Sequence, residues 1–340
     1  MTEIHVALAS DEGYVQHLGC TIASILANAN PDDYFHLYVL DGGITEESKQ
    51  KLAYICENAP GVIQFLPVDL SKLDDCPSIS YLSKSTYLRL FLPDLLPHLD
   101  KLIYLDCDMI VTDSLADLWN FDLKDKSIGV VEEFIETYSK YYLENTWRLY
   151  IPGFSTLCDK VYQTILPLTS RHHKLKEAGF NAGSLLINLA KVRQQGLFHK
   201  TIEWAEQNAS ILKYADQDAL NVIFEDDLVK LPFKWNIQYQ LCWTTIPLLK
   251  NWSHLPPFNN ILDNPKGIIH YISGAKPWHY YYKTPIGDLY WKYLSLTPWK
   301  DYVPPKDKKL RGVKFRNTNY WYGLLKSFVL EVTKHFVVHK

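Results

Sequence analysis

The residues best suited to chemistry are two aspartates, Asp106 and Asp108, in the stretch IYLDCDMIV. They end an apolar run that predicts a buried strand, where carboxylates have no packing role. Alternate residues of a strand point the same way, so the spacing predicts two carboxylates side by side that oppose each other's ionisation. A divalent cation removes the conflict, because Mg²⁺ and Mn²⁺ take oxygen ligands and commonly phosphate oxygens as well. The pair indicates a metal–diphosphate site or, as the simpler alternative, a solvated turn.

The same residues also fit a second kind of chemistry. Phosphatases of the haloacid-dehalogenase type use the first Asp of a strand-end DxDx(T/V) as a nucleophile, and DCDMI approximates that pattern. Those enzymes carry the motif on their first strand and an acidic pair downstream. Here the motif comes late, although Glu225–Asp227 could supply the acidic pair. A phosphatase therefore stays open as an alternative.

The elements that must position the aspartates alternate between strand and helix. We predict strands at 4–9, 35–43, 62–68, 101–108, 128–134, 181–189, 228–232 and 267–270, and helices at 16–28, 45–58, 83–96, 190–208 and 215–224. This alternation predicts an α/β fold with a Rossmann-like, mainly parallel sheet and helices on both faces. Such sheets bind ligands beyond the carboxyl ends of their strands, where Asp106 and Asp108 fall.

Composition narrows the class of protein. The 340 residues are 47% hydrophobic and 21% charged, which is typical of a soluble globular protein. The net charge of −3 argues against a nucleic-acid partner. The six cysteines are scattered and contain no CxxC, so they predict neither a zinc ribbon nor a disulfide framework. The acidic start and the lack of a long apolar run predict a cytoplasmic protein without a signal peptide or a membrane span.

Four stretches, in this order and spacing, carry a family resemblance: LASDEGY, YLDCDMIVTDSLADLW, FNAGSLLINL, and ADQDALN followed by IIHYISGAKPWH. Over residues 4 to 300 the chain resembles the retaining glycosyltransferases of family 8, in particular the branch that adds galactose or glucose to the bacterial lipopolysaccharide core. The resemblance implies a GT-A fold, UDP-galactose or UDP-glucose as donor, Mn²⁺ or Mg²⁺ as cofactor, and an α-linked product. A non-catalytic sugar-nucleotide-binding protein is the further alternative.

The resemblance also implies the site residues. Asp106, Asp108 and His270 match the metal ligands, and Gln217 and Asp216 match the pair that faces the sugar, whereas Asp218 is expected to be solvent-exposed. Gln217 is an amide and a poor nucleophile, which favours same-face attack over a covalent intermediate. Contacts to the donor are expected from Ala9, Ser10, Asp11, Tyr14, Thr86, Arg89, Asp106, Cys107, Asn181, Ala182, Gly274 and Lys276.

Within that set, Asp11 and Tyr14 match the uridine pocket, and Lys276 matches the lysine that meets the donor diphosphate. The family's loop carries a Gly where this chain has Ser273, so Gly274 could take over the approach to phosphate.

The end of the chain differs from the rest. We predict a glycosyltransferase domain over 1–278 and an extension over 279–340 with a basic, amphipathic tail. Residues 301–340 hold nine Lys/Arg against three Asp/Glu, beside an apolar, aromatic stripe at helical spacing. This pattern suits an anionic membrane surface or a helix docked on the core. The membrane interpretation predicts a peripheral enzyme on the inner face of the cell membrane, acting on a lipid-linked saccharide.

Overall fold

The computed structural model describes residues 1–77, 84–133, 179–238, 265–272, 276–279 and 285–303. The predicted phosphate-loop residues Ser273 and Gly274, the basic tail and most of the predicted 279–340 extension lie outside these ranges. No helix within the described ranges has the length and apolar character that a membrane crossing requires.

Ten strands are described: β1 (Thr2–Ser10), β2 (Asp33–Asp41), β3 (Gly61–Pro67), β4 (Lys101–Leu105), β5 (Met109–Val111), β6 (Ile128–Glu132), β7 (Phe180–Asn188), β8 (Leu228–Lys230), β9 (Ile237–Gln238) and β10 (Ile268–His270). The α-helices among the described residues are α1 (Val15–Ala27), α2 (Glu46–Cys56), α3 (Leu92–Leu95), α4 (Ala116–Trp119), α5 (Leu189–Gln195), α6 (Leu197–Gln207), α7 (Asp216–Ile223) and α8 (Pro285–Leu294).

Seven of these strands form one twisted layer in the order β3-β2-β1-β4-β7-β6-β8. The pairs β3–β2, β2–β1, β1–β4 and β6–β8 are parallel, whereas β7 runs antiparallel to both β4 and β6. The prediction of a mainly parallel α/β sheet is therefore confirmed. A second sheet, β5-β10-β9, begins where the chain leaves the carboxyl end of β4.

Both faces of the large sheet are covered, as the near-continuous apolar strands require. Along β1, Val6 and Leu8 pack into the core that holds α1, whereas Ala7 and Ala9 pack into the core on the other face, which holds α6 and α7. Helix α2 begins where predicted, because the Thr45 side chain accepts a hydrogen bond from the Ser48 N–H.

Two predicted helices differ in the structure. Over 83–96 we expected one α-helix, but Lys84–Phe91 is a 3₁₀-helix and α3 covers four residues. Pro93 explains the difference, because it has no N–H to bond the carbonyl four residues earlier and its ring crowds that turn. The helix expected over 190–208 is broken into α5 and α6 at Gly196, which ends α5 with a φ of +62°.

Helix α8 packs on α1. Tyr290 bonds His17 at 2.7 Å through its hydroxyl group, and its carbonyl accepts the Cys20 thiol at 3.3 Å. Tyr293 accepts a hydrogen bond from Asn28 at 2.8 Å. The start of the predicted extension thus contacts the first helix of the sheet domain, and the domain boundary at 278 stays a prediction.

Candidate active site

The two aspartates lie in a turn between the two sheets, so the predicted strand over 101–108 ends at Leu105 and does not reach them. Asp106 follows β4, and its N–H donates to the Gly183 carbonyl at 2.8 Å. The chain then turns through Cys107 and Asp108 before β5. Their carboxylates nevertheless converge, because this turn carries the chain from one sheet to the next.

His270, the last residue of β10, completes a group of three. One nitrogen or oxygen from each of Asp106, Asp108 and His270 lies within 4.8 Å of the others. His270 Nε2 is 3.1 Å from Asp108 Oδ1 and 3.9 Å from Asp106 Oδ2. Two carboxylates and an imidazole are ligands that Mn²⁺ accepts.

Two observations test whether a cation fits. Among the described residues, the buried Asp108 Oδ1 has no aligned hydrogen bond, although His270 Nε2 is close. Gly183 faces the same space, where a Cβ would approach His270 Cε1 to 2.5 Å and Asp106 Oδ2 to 2.8 Å. Glycine therefore keeps the space between the three side chains open, and the residues fit a divalent cation.

Lys276 supplies a positive charge to this group. Its Nζ lies 2.5 Å from Asp108 Oδ2 and also donates to the Tyr271 carbonyl. Burial alone would raise the pKa of Asp108, but Lys276 and then His270 outweigh it and hold that pKa well below its usual range. Asp108 is therefore ionised, and the Lys276 ammonium balances its negative charge.

Arg89 joins Asp106 to the residues on α7. Its Nη2 lies 3.2 Å from Asp106 Oδ1 and its Nε lies 2.8 Å from Asp216 Oδ2. The Nε–H itself donates to the Thr86 carbonyl at 3.0 Å, and Nη1 donates to the Ala182 carbonyl. The guanidinium is buried and fully engaged, so it fixes the two carboxylates relative to each other.

Asp216 is buried and poorly satisfied. Its Oδ2 has no aligned hydrogen bond among the described residues, despite the nearby Arg89. Burial raises the pKa of Asp216 to about 6, with Asp106 adding to the rise and Arg89 opposing it. A buried carboxylate oxygen that is ion-paired but has no aligned hydrogen bond can still accept a ligand hydroxyl.

Gln217, the neighbour of Asp216, is tied to β7. Its Oε1 accepts the Ala182 N–H at 3.1 Å and the Asn181 side-chain amide at 3.2 Å. Asp218 was expected to be solvent-exposed, which is wrong. It is buried, and its Oδ2 accepts the Lys213 and Tyr214 N–H groups, which closes the turn that leads into α7.

The loop after β1 lies on the same side of the sheet. Ala9 and Ser10 are buried at the end of β1, and Asp11 accepts a hydrogen bond from Ser85 at 3.2 Å. Burial, followed by the nearby Asp108, raises the pKa of Tyr14 to about 12. Tyr14 therefore lies close enough to Asp108 to sense its charge.

Cys107 contributes to the turn through its main chain. Its carbonyl accepts the Thr21 hydroxyl at 2.9 Å, and burial raises the pKa of its thiol well above the usual range. Ion pairs link six of the predicted site residues into one group, namely Arg89, Asp106, Asp108, Asp216, His270 and Lys276.

Sequence reasoning missed three contributors. Gly183 keeps the cation space open, and only its place in FNAGS could have indicated that role. Asn236, fully buried before β9, bonds His270 Nδ1 at 3.1 Å. His17 stacks on Trp278 with ring centroids 3.8 Å apart, which anchors the chain just after Lys276. A lone Asn and a helix His carry no pattern that could have identified them.

A second His-containing cluster lies at the opposite ends of the strands. Glu3, His5 and His36 approach one another within 4.8 Å. The two imidazoles are stacked at 4.6 Å and 17°, so their in-plane lone pairs run side by side and do not converge. His5 is also bonded to Tyr38 at 3.0 Å. We therefore interpret this cluster as a packing contact between neighbouring strands.

The Rossmann-like sheet, with an Asp-Asp-His group where the second sheet meets the carboxyl end of β4, has the architecture of a sugar-nucleotide-dependent glycosyltransferase of the GT-A type. Residues 5–281 match the family model for glycosyl transferase family 8. The chain belongs to that family and is a retaining hexosyltransferase that takes a nucleotide-sugar donor and a saccharide acceptor.

Individual relatives are similar over most of their length. The chain is 29% identical to general stress protein A of Bacillus subtilis, over 87% of this chain and 94% of that protein. It is 26% identical to a lipopolysaccharide 1,2-glucosyltransferase of Escherichia coli, over 92% and 84% respectively. The crystal structure of the galactosyltransferase LgtC with donor and acceptor sugar analogues matches with a TM-score of 0.65 and 27% identity, covering 91% of this chain and 99% of that one. These findings leave the phosphatase and non-catalytic alternatives without support.

Proposed function

We propose that this enzyme transfers galactose or glucose from its UDP-sugar, with Mn²⁺ or Mg²⁺, to a lipid-linked saccharide of the lipopolysaccharide-core type, forming an α linkage. The observation that carries the proposal is the convergence of Asp106, Asp108 and His270 around the space that Gly183 leaves open. The named activities of the glucosyltransferase and galactosyltransferase relatives support the two donors and, for the former, the acceptor class.

The donor has a natural orientation in this site. A cation held by the three ligands would supply positive charge to the diphosphate. The loop Ala9–Tyr14 would receive the uracil, with Asp11 accepting its N–H and Tyr14 stacking on the ring. The sugar would then lie toward α7, where Asp216 Oδ2 is available to a hydroxyl group. Thr86, Arg89, Asn181 and Ala182 line the path between the two ends.

The chain's residues have separate tasks in the reaction. As the C1–O bond to UDP breaks, negative charge gathers on the leaving diphosphate, and the Lys276 ammonium would move from Asp108 to that charge. The acceptor hydroxyl attacks C1 from the face that UDP leaves, and its proton passes to the leaving phosphate oxygen. Gln217 would present its amide dipole to the electron-poor sugar. An amide held by two donors through its oxygen offers no carboxylate for a covalent intermediate.

The membrane association is proposed from the sequence of the tail. Residues Lys306 to Arg316 contain six cations and one acid, and each cation near an anionic surface contributes roughly 1 kcal/mol. A lipid-linked acceptor would lie in the same plane. Deleting the chain after Pro305 should release the enzyme from anionic liposomes while UDP-sugar hydrolysis continues. Equal pelleting of both forms at low salt would refute the anchor.

The decisive test is UDP release from a panel of UDP-sugars with and without Mn²⁺. Wild type should release UDP only with UDP-galactose or UDP-glucose and only with the metal. Asp108→Asn should abolish turnover, whereas Asp113→Asn, a nearby exchange of the same kind just after β5, should leave it unchanged. Full activity in EDTA, or a β-linked product by proton NMR, would overturn the proposal.

A further inference from the structure

Asn236 lies outside the set of residues that the family resemblance suggested, yet it is fully buried and touches two parts of the site. It follows the short 3₁₀-helix Phe233–Trp235 and directly precedes β9, which pairs in parallel with β10. Its side chain lies between His270 on β10 and Asn181 on β7. A buried amide between two functional side chains needs all its hydrogen bonds in the correct sense.

The main chain fixes the direction of these hydrogen bonds, because a backbone N–H can only donate. The Gly183 N–H points at Asn181 Oδ1 at 3.0 Å, and the Ala182 N–H points at Gln217 Oε1 at 3.1 Å. Both oxygens are thereby assigned as acceptors. Asn181 must then turn its Nδ2 toward Gln217 Oε1, where the separation is 3.2 Å.

The same reasoning assigns the donor and acceptor atoms of Asn236 and His270. Since Asn181 Oδ1 is an acceptor, the Asn236 atom 2.8 Å from it must be Nδ2, a donor. The remaining Asn236 atom, 3.1 Å from His270 Nδ1, is therefore Oδ1, which can only accept. His270 Nδ1 must carry a proton, so in the neutral ring the lone pair is on Nε2, the nitrogen that faces Asp106 and Asp108. A ring in this tautomer is ready to bind a cation.

We propose that Asn236 is a positioning residue with two roles. Its Oδ1 selects the His270 tautomer that can bind a metal, and its Nδ2 connects that histidine through Asn181 to Gln217. The inference rests on the proposed metal role of His270. The buried Asn236 amide thereby keeps the cation site aligned with the Gln217 amide, which faces the sugar.

Two substitutions separate the roles. Asn236→Asp keeps an acceptor for His270 Nδ1–H but opposes Asn181 Oδ1 with a second acceptor. Asn181 cannot rotate to suit it without leaving the Gly183 N–H unpaired. We expect Mn²⁺ affinity equal to or tighter than that of the wild type, and a kcat at least about tenfold lower. Asn236→Ala removes both contacts and should weaken Mn²⁺ binding by roughly 10- to 100-fold.

The first measurement is Mn²⁺ binding by electron paramagnetic resonance, beside kcat and donor KM. Asn28→Asp is the control, because Asn28 is a partly buried amide whose side chain contacts Ser24, Val111 and Tyr293, all outside the candidate site. The control should keep the wild-type Mn²⁺ affinity. Wild-type affinity in Asn236→Ala, or an equal loss in both Asn236 variants, would overturn the inference.

The second measurement needs no bound metal. Histidine-selective ¹⁵N NMR of the metal-free protein, in mildly alkaline solution, reports which ring nitrogen carries the proton. We expect protonated Nδ1 at His270 in the wild type and a shift of the proton to Nε2 in Asn236→Ala, where the acceptors that remain are the carboxylates beside Nε2. Identical signals in the two proteins refute the tautomer role. If the wild type binds no Mn²⁺, the proposed metal site fails and this comparison alone decides the role of Asn236.

Discussion

Replacing Lys276 with methionine should tighten metal binding while it slows turnover. The lysine ammonium sits 2.5 Å from Asp108 Oδ2 in the free protein, so an incoming cation must compete with it for that carboxylate. Methionine keeps most of the length of the side chain and its contact with apolar neighbours but removes the charge. Asp108 then loses its counter-charge within the protein and gains affinity for a metal cation.

The size of the effect follows from the lost contact. A hydrogen bond between charged groups contributes a net of about 1.5–3 kcal/mol, and this is the free energy that metal binding no longer has to displace. At about 1.4 kcal/mol per factor of ten, Mn²⁺ should bind roughly 10- to 100-fold more tightly. Turnover should fall because the ammonium is no longer available to the leaving diphosphate.

The assay is Mn²⁺ titration by electron paramagnetic resonance at mildly alkaline pH, where proton competition for Asp108 is small, followed by UDP release at saturating Mn²⁺. Lys292→Met on α8 is the control, since Lys292 is exposed and lies over the Tyr293 ring. It should change neither quantity. If Lys276→Met binds Mn²⁺ with wild-type or weaker affinity, the ammonium does not compete for the metal site.

Three further results are expected. Gly183→Ala should abolish Mn²⁺ binding, measured by the same titration, because its Cβ would lie 2.5 Å from His270 Cε1; retained affinity would mean that the three ligands are not held as described. The donor kcat/KM should rise with pH through about 6, because the pKa of Asp216 is raised to about 6 and its ionised form prevails above that value. A pH profile of Asp216→Asn should lack that step, and an unchanged profile would assign the step to another group. Gln217→Ala should lower kcat far more than it changes donor KM in steady-state kinetics, and the reverse pattern would make Gln217 a ground-state binding residue.

The sheet was predictable because buried parallel strands need apolar residues on both faces. The runs at 4–9, 35–43 and 62–68 therefore lie within about two residues of β1, β2 and β3. Helix ends were less predictable, since they depend on single residues. Gly196 ends a helix whose apolar spacing continues beyond it, and Pro93 changes the type of helix around it.

The sequence places the candidate site residues at strand ends, but it does not predict how they are arranged. Asp106 and Asp108 were identified for a strand geometry that they do not have, because a turn between two sheets leaves no periodic signal. Asp218 was read as exposed, although it caps the turn before α7 through two backbone N–H groups. Asn236 could not be found at all, because its role arises from pairing between strands distant in sequence.

The aromatic contacts beside Lys276 connect the candidate site to helices α1 and α8. Trp278 stacks on His17 of α1, and its ring lies 4.8 Å from Tyr290 of α8. Any shift of the lysine toward a diphosphate therefore disturbs a buried aromatic cluster that holds the two helices together. The free energy of local opening of α8 then depends on whether the donor is bound. Amide hydrogen exchange in α8 is for this reason expected to become faster when UDP binds, although no atom of that helix need touch the nucleotide.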